Sequence, residues 1–142
     1  MDFAASLQRR MLLGYLGVLL LLYLSSVASA WGMSSARGEL ISVSLCAVGL
    51  AAAARAPLTT VRYVLAVTCL CAVPLTAMLF HDVAAAQVWA VVPLMFSAIF
   101  VRAWHRPVTA RAVAIVIAVF AAGALAVAPA EVPVQWYWMF GV

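Results

Sequence analysis

Charged residues are scarce in this chain, and lysine is missing altogether. Aspartate, glutamate, lysine and arginine together make up 8% of the 142 residues, whereas hydrophobic residues make up 69%. Soluble domains carry about 25% charged and about 45–50% apolar residues. No water-soluble fold could hide so much apolar surface, so the composition predicts a protein whose main solvent is lipid.

Residues that carry enzymatic chemistry are equally scarce. The sequence holds no glycine-rich phosphate loop, no metal-ligand spacing and no nucleophile–base pair. We therefore expect a protein that is not an enzyme and that uses neither a cofactor nor a metal. Cys46, Cys69 and Cys71 all lie in apolar runs, and an odd number of such cysteines does not make a disulfide framework. The net charge of +4 does not indicate nucleic acid, because the few arginines flank the apolar runs.

Long apolar runs dominate what is present. Helices of about 17–25 apolar residues cross the hydrocarbon core of a bilayer. The chain is therefore predicted to be all-α: a polytopic transmembrane bundle of five complete helices and part of a sixth, forming one domain over residues 1–142. The complete helices are predicted over 11–30, 40–54, 63–80, 83–101 and 112–128, and the partial sixth over 134–142.

The first apolar run has two interpretations. Arg9 and Arg10 precede it, and it ends in Ala28-Ser29-Ala30, which matches a signal peptide with a small-residue cleavage site. A helix that is not cleaved is favoured, because the run is long enough to span and further spans follow it. The topology of the later helices is the same in both cases.

The arginines predict an orientation. With the N-terminus in the cytoplasm, seven of the eight arginines fall inside, while Arg37 and the acidic residues Glu39, Asp82 and Glu131 fall outside. This asymmetry follows the positive-inside rule. Because the bias toward arginine, alanine and valine suggests a GC-rich bacterial genome, we expect a multi-pass protein of a bacterial inner (plasma) membrane. The arginines that set the orientation and would meet lipid headgroups are Arg9, Arg10, Arg55, Arg62, Arg102, Arg106 and Arg111.

The last residues, EVPVQWYWMFGV, have the pattern of a helix entering the membrane from outside. Pro133 suits a first helical turn, and the aromatic run Trp136–Trp138 suits the belt at a membrane interface. The nine residues from 134 onward, at about 1.5 Å each, cover roughly half of the hydrocarbon core. A sixth helix that continues beyond Val142 is favoured. The alternative is a five-span protein whose tail lies in the outer interface.

Five residues are candidates for ligand binding or sensing. His81 and Asp82 form the outer turn between the third and fourth spans, either as a pH-sensitive or ligand-binding contact or as a simple polar break at the interface. Pro74 and Pro93 are expected to kink these two spans. Gln87 is costly to expose to lipid. Two kinked helices on either side of it could line a small cavity.

The fifth span carries a stripe of small residues at a spacing of four. Such a stripe lets helices approach closely, either within the chain or across a dimer, although the general abundance of alanine could also produce it. The expected partners are the lipid bilayer and a homodimer or larger membrane complex, and nucleic acid is not expected. The stripe consists of Ala114, Ala118, Ala122 and Ala126.

The second half of the chain has a recognisable layout. From about Gln87, an aromatic-rich span ends in the basic turn Arg102–Arg111, an Ala/Val-rich helix follows, and a Trp-containing segment begins at Trp136. This layout resembles the N-terminal membrane domains of actinobacterial GGDEF-type diguanylate cyclases. The resemblance implies a sensor or anchor region and no catalytic residue, because the chain has no GGDEF signature.

Two functions of different classes follow from the sequence. The first is a membrane-embedded signal-input or anchoring domain of a bacterial signalling protein, such as a diguanylate cyclase or histidine kinase. It would pass a signal through its last helix to a cytoplasmic output domain absent from this chain. The alternative is a complete small integral membrane protein, acting as a transporter-like or accessory subunit of a membrane complex. A transporter should show inverted repeats, and the sequence offers no convincing repeat.

Overall fold

The computed structural model describes residues 3–29, 36–80 and 90–127 of the chain. Over these residues the fold is all-helical, with five α-helices and no strand. The all-α prediction is confirmed for this part of the chain. The helices are α1 (Phe3–Ser29), α2 (Ala36–Ala54), α3 (Thr60–Phe80), α4 (Val91–Trp104) and α5 (Pro107–Val127).

Four of these helices, α1, α2, α3 and α5, are long and apolar enough to cross a membrane. α4 is apolar as well but has 14 residues. Large apolar side chains, Leu21 and Val119 among them, are exposed over the outside of the bundle. Exposed apolar surface on this scale marks contact with a membrane or a partner. The fold therefore supports a membrane protein with several spans, and the predicted sixth helix over 134–142 lies outside the described residues.

Most of the helices begin earlier than the apolar runs that predicted them. Hydropathy reports the part of a helix that lipid covers, whereas backbone hydrogen bonding continues into the interface, where charged side chains reach water. The predicted fourth span, 83–101, overlaps α4, which ends at Trp104, and its first residues lie outside the described part of the chain. The early starts are Phe3 for α1, Ala36 for α2, Thr60 for α3 and Pro107 for α5.

Consecutive helices are antiparallel, because contacts join the start of one to the end of the next. Arg9, near the start of α1, hydrogen-bonds to the end of α2. Gly38, at the start of α2, lies against Phe80 at the end of α3. Tyr63, near the start of α3, stacks on His105, which directly follows α4. This up-and-down order brings seven arginines to one end of the bundle, which we call the arginine end. These arginines are Arg9, Arg10, Arg55, Arg62, Arg102, Arg106 and Arg111.

The core lies mainly between α1, α2 and α3. The buried residues of α1 recur every three or four positions, so they share one face of the helix. α2 is in contact with both neighbours, and a Cβ at Gly49 would lie 3.1 Å from the Cβ of Cys69 and 3.2 Å from Cδ2 of Leu16. Glycine at this position therefore allows the three helices to approach closely. The buried residues of α1 are Leu12, Leu16, Leu19, Tyr23 and Val27.

α5 is the least covered of the four long apolar helices. Only 17% of its spanning part is buried inside the bundle, against 39% for α3. It packs on α3 and α4 through a few residues, of which Ala110, Ile117 and Ala124 are buried. The described residues therefore leave most of the surface of α5 to lipid, to a further helix or to a second copy of the chain.

Candidate functional site

An open groove of about 550 Å³ runs between α3 and α5, beginning at the arginine end. We call it the α3–α5 groove. Apart from Thr68, its polar groups are concentrated at the arginine end, where Tyr63, His105 and Thr109 line it. This distribution suits an amphiphile whose head lies at the arginine end. The apolar walls include Val67, Cys71, Leu75, Val113, Ile117 and Phe120.

Tyr63 and His105 form the polar mouth of this groove. Their rings are stacked, with centroids 5.6 Å apart and an angle of 28° between the planes. The hydroxyl oxygen of Tyr63 lies 3.4 Å from Nε2 of His105, and Nδ1 of His105 lies 3.0 Å from the carbonyl oxygen of Val101. To bond that carbonyl, Nδ1 must carry a hydrogen, so Nε2 of the neutral ring accepts from the hydroxyl. The pair thus ties the start of α3 to the end of α4.

A second groove, of about 470 Å³, lies between α4 and α5. We call it the α4–α5 groove. Arg102 lines it from α4 and Arg111 lines it from α5, and both side chains are exposed. The rest of the lining is small or apolar, and alanine predominates. Two of the arginines predicted to meet lipid headgroups are thereby brought to the same groove.

Arg9 does more than mark orientation. Its Nε donates to the carbonyl oxygen of Ala53 at 3.0 Å, and its guanidinium also donates to the carbonyl oxygen of Ala54. The last carbonyls of a helix have no intrahelical donor and carry the partial negative charge of the helix dipole. Arg9 therefore caps the C-terminus of α2. The apolar pattern did not predict this contact, because the partners are 44 and 45 positions apart.

Pro74, one of the two prolines predicted to frame a cavity, is fully buried where α3 packs on α2. Beside it, Oγ of Ser42 lies 2.9 Å from Oγ1 of Thr76 and 3.3 Å from the carbonyl oxygen of Val73. These contacts tie α2 to α3 beside the proline. Pro74 lines neither of the two grooves.

Pro93 lies in the first turn of α4, where a missing N–H costs little. Its carbonyl oxygen accepts from the hydroxyl of Tyr15 at 2.5 Å and from Oγ of Ser97 at 3.0 Å. Pro93 lines neither groove. The remaining candidates for ligand binding, His81, Asp82 and Gln87, lie outside the described residues, so a cavity around them stays a prediction.

Glu39 has a role that the sequence reading missed. We expected it at the outer surface, but its side chain is 1% exposed, at the start of α2. Oγ of Ser26 in α1 donates to its Oε1 at 2.5 Å. Ionisable residues inside membrane bundles are costly and commonly functional. One feature of the sequence could have indicated this burial. Ser42 follows Glu39 by three positions, so the two polar side chains share one face of a largely apolar helix.

The alanine stripe of α5 is not covered by the described helices. Its four side chains are all exposed, although the first also lines the α4–α5 groove. A surface of small residues on an exposed membrane helix permits close approach of another helix. The stripe consists of Ala114, Ala118, Ala122 and Ala126.

The chain was also compared with known proteins. No family model, no curated protein and no solved structure matches it. The likeness to membrane domains of diguanylate cyclases therefore stays a prediction.

Proposed function

We propose that this chain is a membrane-embedded signal-input and anchoring domain of a bacterial signalling protein. The observation that carries the proposal is the α3–α5 groove. This groove has apolar walls and a polar mouth, and α5 forms one of its walls. Since α5 is also the least buried of the long described helices, a ligand in the groove would act directly on an element that few of the described residues hold.

The polar mouth supplies a way for a ligand to change the bundle. A ligand shifts an equilibrium only when it binds two conformations with different affinity. A polar head that bonds Nε2 of His105 competes with the hydroxyl of Tyr63 for the same atom. Binding would therefore loosen α3 from the turn that leads into α5, whereas the unliganded groove keeps them tied.

The signal would leave the domain through its later helices. A shift of α5 would move its exposed alanine stripe, on which a second copy or a larger complex would pack. The arginine end faces the cytoplasm in this proposal, as the positive-inside rule requires, and the output domain lies on the same side. The membrane in question is the bacterial inner membrane.

The first test is the coding DNA downstream of the Val142 codon. We expect a frame that continues into a soluble output domain of the cyclase or kinase class. A stop codon at that point would overturn the proposal, because no output domain would then be attached to the input domain.

The second test uses that full-length protein and concerns the groove itself. Val116→Trp fills the α3–α5 groove from α5. We expect the output activity of this variant to differ several-fold from the wild-type level and to stay the same when the stimulus is applied. Val119→Trp is the matched control, since Val119 is similarly exposed (65% against 52%) but does not line the groove. Equal effects of the two substitutions would count against the groove as the input site.

A second candidate function is a transporter-like or accessory subunit, and Glu39 is the observation that favours it. A buried carboxylate bonded to Ser26 is the kind of group that carries a proton or cation in transporters. Glu39→Gln would abolish ion-dependent activity in such a subunit. In a signal-input domain that responds through the α3–α5 groove, the same substitution would leave the response to stimulus in place.

A further inference from the structure

The α4–α5 groove combines two exposed positive charges with a floor of small residues. Arg102 and Arg111 line it from opposite helices. Ala98 lies about one turn further from the arginine end than Arg102, and Ala114 lies almost one turn further than Arg111. Both line the groove and project only a methyl group into it. An extended hydrocarbon chain can therefore lie close to both helix backbones, directly beneath the two guanidiniums.

The described chain supplies no countercharge for these two arginines. Glu39 is the only carboxylate among residues 3–29, 36–80 and 90–127, and it lies at the opposite end of the bundle. Arginine side chains at a membrane interface extend along apolar surface and place the guanidinium at headgroup level. At that level a lipid phosphate can balance the charge, and a guanidinium binds a phosphate through two parallel hydrogen bonds.

We propose that the α4–α5 groove binds one anionic phospholipid. Its phosphate lies between Arg102 and Arg111, and one acyl chain lies along the alanine floor. Basic pockets between membrane helices are known to hold anionic headgroups in this way. The proposal goes beyond a general attraction of the arginine end for anionic lipid, because it specifies one lipid in one groove. It is independent of the α3–α5 groove and of the signal-input function.

Native mass spectrometry of the full chain, released from micelles, counts bound lipids directly. The probes are phosphatidylglycerol and phosphatidylcholine with identical acyl chains. We expect one phosphatidylglycerol to bind in preference to phosphatidylcholine. The preference should fall by roughly tenfold or more in R102Q/R111Q, because each arginine near a surface contributes substantially to anionic lipid binding. R10Q/R55Q is the matched control: it removes the same charge from the same end, outside the groove, and should keep the preference.

Equal losses in the two double variants would overturn the proposal, because general electrostatics would then explain the binding. Equal affinity of the wild type for both lipids would also overturn it. Ala98→Leu narrows the groove without changing the charge and should weaken phosphatidylglycerol binding several-fold. Ala112→Leu changes an exposed alanine of α5 outside the groove and should not. Full binding by A98L would show that no acyl chain occupies the groove and would overturn the site as proposed.

Discussion

At the scale of single residues, Arg9 and Arg10 show how neighbours of the same charge can differ in role. Arg9 is partly buried and bonds the carbonyl oxygens of Ala53 and Ala54, whereas Arg10 is exposed at the same end of α1. Where a helix end approaches a bilayer, water is less available to satisfy these carbonyls. The contribution of Arg9 to stability should therefore exceed that of its charge alone.

Substitution of each arginine by methionine separates the cap from the charge, because methionine keeps an unbranched stem and removes every donor. Arg9→Met should lower the free energy of unfolding by about 1–2 kcal/mol, the usual worth of hydrogen bonds from a charged group that is partly exposed. Arg10→Met should change it by less than about 0.5 kcal/mol. Denaturant titration in micelles, followed by far-ultraviolet circular dichroism, measures both. Similar losses in both variants would contradict the cap.

Sequence patterns predicted the side of the membrane for these residues but not their contacts. The positive-inside rule needs only the count of arginines between apolar runs, so it treats Arg9 and Arg10 alike. The bond from Arg9 to α2 depends on how two helices pack, which no local pattern encodes. Glu39 was missed for the same reason: its charge indicated the interface, and only the packing of α1 beside α2 shows that it is buried.

At the scale of elements, α2 and α3 pack closely because α2 has glycine where the helices meet. A Cβ built on Gly38 would overlap the Cβ of Phe80, the last residue of α3. Gly14 in α1 is also helical, but a Cβ there would meet nothing within 4 Å. Small residues at such crossings stabilise membrane helix pairs through close packing. The two glycines are thus a matched pair for the same substitution.

Gly38→Ala should destabilise the bundle by about 1–3 kcal/mol, the usual cost of overpacking. Gly14→Ala should be neutral or stabilising by up to about 1 kcal/mol, because alanine favours a helix where no neighbour interferes. The same denaturant titration compares the two variants with the wild type. A Gly38→Ala protein as stable as the wild type would mean that α2 and α3 are further apart than described.

The helices themselves could be predicted from hydropathy, but the face that each buries could not. α1 is apolar all round, so Leu12 and Leu16, which are buried, look in sequence like Leu21 and Leu24, which are exposed. In water a polar face would have separated the two sets. In lipid both faces are apolar, and close packing decides which residues lie inside. For this reason neither the core nor the two grooves could be derived from periodicity.

At the scale of the whole molecule, charge makes the two ends of the bundle different. Seven arginines lie at the arginine end, while Arg37 and Glu39 lie at the start of α2, at the opposite end. Loops rich in arginine remain on the cytoplasmic side during insertion, because translocating them is unfavourable. The bundle should therefore insert in one orientation, with the arginine end inside. Both the signal-input proposal and the predicted side of an output domain depend on this orientation.

Two cysteine substitutions at opposite ends test the orientation. Ala56 is exposed between α2 and α3 at the arginine end, and Arg37 is exposed at the other end. In spheroplasts, a maleimide that does not cross membranes should label Arg37→Cys and leave Ala56→Cys unlabelled, and after permeabilisation it should label both. Labelling of Ala56→Cys alone in intact spheroplasts would place seven arginines outside and contradict a cytoplasmic output. The background for both variants has alanine in place of the native cysteines, Cys46, Cys69 and Cys71.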